Sequence, residues 1–190
     1  MYVNIDEFKN IDREKFFFAH NTIDYKNVLN LADTDNGIFV NESKINFVTT
    51  GRLSYAKNQI NLVKAFHKFH DKYPWSELYI IGEGNLRDDI TKEINGVDYI
   101  HLTGYTNNPF NTMKKCDCFV FPSLYEGQGL ALIEARMLNL PIIVSPLPKM
   151  DGIFVDNGQY ELNGFDEDSI YDGLESFIYK NGFWAYNFDA

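Results

Sequence analysis

From residue 46 onward, short runs of β-branched and aromatic residues alternate with longer stretches whose apolar positions recur every three or four residues. The first pattern suits a strand buried on both faces, the second an amphipathic helix. "INFVTTG" is read as a strand, "NQINLVKAFHKFHDKY" as a helix with Ile60, Val63, Phe66 and Phe69 roughly on one face, and "ELYIIGEG" as the next strand. There follow a helix "LRDDITKEI", a strand in "VDYIHLTGY", a short helix "NPFNTMKK", a strand "CDCFVFPS", a helix "GLALIEARML" and a strand "PIIVSP". Strands are thus expected near 46–50, 77–81, 99–102, 118–121 and 141–145. Strict alternation of the two kinds predicts βαβ units: an α/β fold with a doubly wound parallel sheet, its strand ends gathered on one edge.

The flanks are less regular. Two helix candidates, "IDEFKNIDREKFFF" and "YKNVLNLADT", surround the turn-forming "AHNTID". Beyond residue 150, "GQYELNGFDEDSIYDGLESFIYKNG" reads as a short strand, a capped turn at Asp166 to Ser169 and a last helix, after which "FWAYNFDA" adds no closing element.

Charge and cysteine content narrow the class. With 17 basic and 27 acidic residues the formal charge is −10, and the acids are scattered, so no groove for nucleic acid is indicated and an anionic ligand must find local cations. Cys116 and Cys118 are expected on opposite faces of the sheet as reduced thiols, neither bonded to each other nor holding a metal. The charged start lacks the apolar core of a signal peptide, and no run approaches the roughly 18 apolar residues of a membrane span. The expectation is a cytoplasmic protein. "DTD" at 33–35 lies in a polar loop, and His67 and His70 lack a third ligand, so no metal site is expected.

The remaining chemistry sits at the predicted carboxyl ends of strands, where doubly wound sheets bind ligands and helix N-termini offer free N–H groups. "GRLSYAKN" places Gly51, Arg52 and Lys57 there: a planar fork and a point charge suited to a diphosphate, or else two surface cations. "GEGNLR" has the first two glycines of a dinucleotide fingerprint, Gly82 and Gly84, but Arg87 where a third small residue should pack, so it reads as a turn admitting a ligand to the backbone. In "FPSLYEGQGLALIEARMLNLP", Glu126 stands before the amides of Gly127, Gln128, Gly129 and Leu130, with the helix expected from about Gln128. Glu134 falls on or beside the apolar face of that helix. A carboxylate there needs partners, either ligand hydroxyls or a cation such as Arg136. Eight residues of helix would set the two glutamates at most ~12 Å apart, comparable with the span from sugar to ribose in a nucleotide-sugar.

Four segments taken in order, "VTTGRLSYAKNQINLVKAF", "LYIIGEGNLRDDI", "IHLTGYTNNP" and "DCFVFPSLYEGQGLALIEARMLNLPIIVS", resemble the C-terminal, nucleotide-sugar-binding domain of group 1 glycosyltransferases. These are retaining enzymes built of two facing Rossmann-like domains, the GT-B fold. "HNTID" resembles the family's interdomain linker. The resemblance implies a division into residues 1–45 as linker and remnant of an acceptor domain, 46–180 as the donor-binding domain, and 181–190 as the start of a truncated segment. It also implies that Arg52 and Lys57 grip the donor diphosphate, Glu126 faces the transferred sugar, and Glu134 holds the ribose hydroxyls. The amides of Gly127 to Leu130 would meet the sugar or phosphate, and the loops at Gly82 to Gly84 and Gly104 to Tyr105 the base. The implied partners are a nucleotide-sugar and an acceptor glycan, polymer or glycoprotein bound mainly by the facing domain, with peripheral membrane association of the full-length enzyme. No metal or other cofactor is implied. A nucleotide-sugar epimerase of the same fold and a non-catalytic binding domain are the rival readings. Departures from the family pattern are Gln128, Asn139 and the segment "PLPKMDGI" after "IIVS", which bear on the donor sugar rather than the fold.

Overall fold

The computed structural model describes residues 22–147 and 159–183. Six parallel strands form one sheet in the order β3-β2-β1-β4-β5-β6: β1 (Ile45–Thr50), β2 (Ser76–Ile81), β3 (Ile100–Gly104), β4 (Cys118–Phe121), β5 (Ile142–Val144) and β6 (Gln159–Glu161). The five strands expected from the apolar runs are all present, each within a residue or two of its expected bounds. Every residue of β1, β4 and β5 is buried, as expected for strands covered on both faces.

The helices divide between the two faces. α2 (Gln59–Lys72), α3 (Arg87–Ile94) and α6 (Glu167–Lys180) cover one, where Phe47 of β1 meets Phe66, Phe69 and Phe177 edge-on at 5.4–5.7 Å between ring centroids. α1 (Tyr25–Ala32), α4 (Phe110–Lys114) and α5 (Leu130–Met137) cover the other, around Val48, Tyr79, Phe119 and Phe121. On α2 the buried face is Leu62, Val63, Ala65, Phe66 and Phe69. Ile60, expected in that stripe, is only partly buried. α6 is capped as its sequence suggests, the Asp166 side chain accepting from the Ser169 amide.

Two features depart from the simple pattern. α1 lies in the segment expected to be linker, yet its Val28 and Ala32 are buried against the sheet and it packs on α4 and α5. Residues 5–18, the other helix candidate of that region, lie outside the described residues. Cys118 belongs to one apolar cluster and Cys116 to the other, so the thiols do face opposite sides. Two residues apart on one strand would share a face. The separation arises because Cys116 lies in the turn after α4, before β4 begins. Both are free, and burial pushes each thiol up, away from the reactive thiolate. Among the described residues no helix is long and apolar enough to cross a membrane.

Candidate active site

The strand order reverses between β1 and β4, whose following helices lie on opposite faces, and at such a switch point a doubly wound sheet opens a crevice at its carboxyl edge. β1 pairs with β2 over six residues, Ile45↔Ser76 to Thr50↔Ile81, but registers with β4 only at Phe47↔Cys118 and Val48↔Phe119. The candidate residues Arg52 and Lys57 follow β1; Glu126 and the N-terminus of α5 follow β4.

The structure joins these two loops directly. The Leu124 amide donates to the Ala56 carbonyl at 2.8 Å. Beside that bond Lys57 and Glu126 form an ion pair, with side-chain exposures of 21% and 19%, and the Lys57 ammonium lies 5.1 Å from the Phe121 ring centroid. An apolar ring beneath the pair and limited access to water strengthen its attraction relative to an exposed pair. Arg52 is exposed, and its guanidinium has no partner among the described residues. Its backbone is held on every side: Gly51 donates to Ile81, Leu53 to Glu83, and the Arg52 carbonyl accepts from the Gln59 side chain at 3.1 Å.

At α5 the helix starts two residues later than expected. Gly129 is its N-cap, with φ 59°, a left-handed conformation that suits glycine. The Gly127 amide, expected to be free for a ligand, donates to the Glu126 carboxylate at 3.2 Å. Gln128 is half-buried, and Leu130 is among the exposed apolar residues. Glu134, one turn into α5, is half-buried, and its carboxylate has neither hydrogen-bond nor ion-pair partner among the described residues; the Arg136 pairing weighed from the sequence does not form. Burial raises its pKa, with no cation to offset it.

The glycine loop after β2 has a different neighbour from the one expected. A side chain at Gly82 would collide with the Gly51 carbonyl, and one at Gly84 with the Leu53 backbone. That space is taken by the loop carrying Arg52. Gly104 (φ 80°) ends β3, and Tyr105 beyond it is 73% exposed, two strands from the switch point. The structure therefore brings Lys57, Glu126 and Gly127 into contact and sets Arg52, Gly51, Gly82 and Gly84 in the adjoining loops. Gly104 and Tyr105 stand farther along the same edge. Asn58 and Gln59, buried amides at the start of α2, were missed. Their polarity within an apolar helix was the signal available.

The model of the glycosyl transferases group 1 family matches residues 32–181. The chain is 32% identical over 141 residues to the UDP-Gal:alpha-D-GlcNAc-diphosphoundecaprenol alpha-1,3-galactosyltransferase of Escherichia coli, covering 71% of this chain and 34% of that protein. It is 29% identical over 182 residues to the N-acetylgalactosamine-N,N'-diacetylbacillosaminyl-diphospho-undecaprenol 4-alpha-N-acetylgalactosaminyltransferase of Campylobacter jejuni, covering 88% of this chain and 46% of that one. Among solved structures, the C-terminal domain of a glycosyl transferase group 1 family protein, LpcC, from Francisella tularensis superposes with a TM-score of 0.63 at 25% identity, over 73% of this chain and 77% of that chain. The chain spans less than half the length of these curated relatives.

Proposed function

The chain belongs to the group 1 glycosyl transferase family, and on that premise we propose that it is the donor-binding half of a retaining glycosyltransferase that takes a sugar from a nucleotide-sugar. The observation that carries this reading is the meeting of Lys57 and Glu126 at the β1/β4 switch point, with the exposed Arg52, whose side chain has no partner among the described residues, in the adjoining loop. A departing nucleoside diphosphate builds negative charge on its phosphates. A guanidinium fork, an ammonium and helix-end amides preset around it stabilise that charge without reorganisation, so no metal ion is required. Glu126 would meet the sugar as it gains oxocarbenium character, and Glu134 would bind the ribose hydroxyls. A carboxylate half-buried without a partner among the described residues is suited to accept two hydroxyl hydrogen bonds.

The whole protein's acceptor is proposed from the relatives' chemistry. Two relatives act on diphospho-undecaprenol-linked sugars by name, so a lipid-linked or polymeric glycan is the acceptor class favoured, held mainly by a facing domain. A thermal-shift panel of UDP, GDP, ADP and CDP tests the donor half, since a ligand of the native state alone raises its stability. Stabilisation by one base over the others is the expected result. No response to any nucleotide, with calorimetry agreeing, would reject the donor-site reading.

A further inference from the structure

Two consecutive polar residues open α2 immediately after Lys57, and both are buried: Asn58 at 8% exposure and Gln59 at 2%. Asn58 takes a left-handed conformation, φ 59° and ψ 27°, which asparagine tolerates better than most residues. Its amide group reaches across the crevice. Nδ2 donates to the Pro122 carbonyl at 3.0 Å and to the Phe165 carbonyl at 2.8 Å, while Oδ1 accepts from Asn61 Nδ2 at 3.0 Å. One side chain thus ties the residue next to Lys57 to the loop that leads to Glu126 and to the loop that leads into α6.

Gln59 acts on the other cation. Its Nε2 donates to the carbonyl of Arg52 itself, while its Oε1 is buried with no hydrogen-bond partner among the described residues. A buried acceptor without a partner costs about as much as a neutral hydrogen bond returns, so Gln59 adds little net stability. Its effect lies in where it holds the Arg52 peptide.

We propose that Asn58 and Gln59 are positioning residues of the diphosphate site, Gln59 setting Arg52 and Asn58 setting Lys57 against the Glu126 loop. The proposal rests on the donor-site reading above. Gln59→Met keeps the side chain's length and removes the unpartnered oxygen, so thermal stability should hold or rise while nucleoside diphosphate affinity falls about three- to tenfold. Asn58→Gly keeps the left-handed backbone, loses the cross-links and should weaken affinity about tenfold. Each loss should vanish when the cation it serves is already gone: no further effect of Gln59→Met in an Arg52→Ala protein, nor of Asn58→Gly in a Lys57→Met protein.

The experiment is calorimetry of the chain and these variants with the best binder among UDP, GDP, ADP and CDP, alongside crystal structures of the ligand-free variants. Additive losses in the double variants would overturn the positioning roles, because general destabilisation does not depend on Arg52 or Lys57. If no nucleotide binds even the unaltered chain, the donor-site reading fails and the crystal structures decide. A Lys57–Glu126 pair undisturbed by Asn58→Gly and an Arg52 carbonyl unmoved by Gln59→Met would then dismiss the proposal. Should Asn58→Gly fail to fold, the Gln59 arm decides alone.

Discussion

Lys57 and Glu126, sixty-nine residues apart in the chain, form an ion pair across the gap between β1 and β4. The ammonium proposed to receive a diphosphate is therefore already occupied by a carboxylate, and an incoming phosphate must compete with Glu126 for it. Lys57→Met should weaken nucleoside diphosphate binding by tenfold or more, the usual worth of a hydrogen bond between charged groups. Glu126→Gln should instead leave binding unchanged or tighten it up to about fivefold, the range of a partly exposed ion pair, while abolishing transfer by the complete enzyme. Calorimetry on both variants checks the opposite signs. Equal losses would mean that Glu126 supports the cation rather than competing for it.

Glu134 provides a test in which stability and affinity move apart. Its folded-state pKa is raised by burial alone. The native state therefore binds its proton more tightly than the unfolded chain, and the carboxylate penalises folding once the pH exceeds the unfolded value. Glu134→Gln removes that penalty and should raise the melting temperature of the ligand-free protein at pH 7 by about 1–3 °C. The same change should weaken nucleotide binding by about 1.5–3 kcal/mol through loss of the charged acceptor. Scanning calorimetry with and without nucleotide measures both. Unaltered binding would make Glu134 a structural residue.

A second carboxylate predicts how the fold responds to acid. Burial of Glu175 on α6 would raise its pKa, but bonds from Lys72 at 2.5 Å, Tyr171 at 2.9 Å and Tyr73 at 3.0 Å outweigh it, and the net direction is down. The lowered folded value means that this stability is present above the unfolded carboxylate range and is lost as the pH falls through the folded pKa. Glu175→Gln should cost about 1 kcal/mol at pH 7, and the difference from the unaltered chain should shrink toward zero under acid. Urea melts at pH 7 and pH 3 report both numbers. A difference that persists at pH 3 would show that the charge is not what ties α2 to α6.

Because neutralisation of the diphosphate is assigned to Arg52 and Lys57, nucleotide affinity should be the same in EDTA as in millimolar magnesium. A metal-dependent gain of more than about threefold would reveal a cation bridging the phosphates. In the same preparation, transfer of sugar should be undetectable, since the chain spans less than half of its curated relatives and the acceptor is assigned to the facing domain. Sustained transfer by this chain alone would refute that assignment.

The sheet was legible in the sequence because a strand covered on both faces is mostly apolar or β-branched, and "INFVTT", "LYII", "CFVF" and "IIV" have few other uses. The glycine and charge patterns after those strands likewise marked the carboxyl edge, since only loops leave such residues in reach of a ligand. Pairing across the crevice was not legible. That Lys57 meets Glu126, that Asn58 reaches Pro122 and Phe165, and that Gly84 makes room for Leu53 all depend on which strands become neighbours. α1 was marked by its own pattern in "YKNVLNLADT", but its place on the sheet was not: eight residues with two buried side chains form a stable helix only against α4 and α5. Local periodicity is written into each segment by the geometry of helix and strand. Contacts between segments far apart in the chain are chosen by the packing of the whole sheet, and in that packing, among the described residues, the side chain of Arg52 is left without a partner and that of Glu134 is half-buried without one.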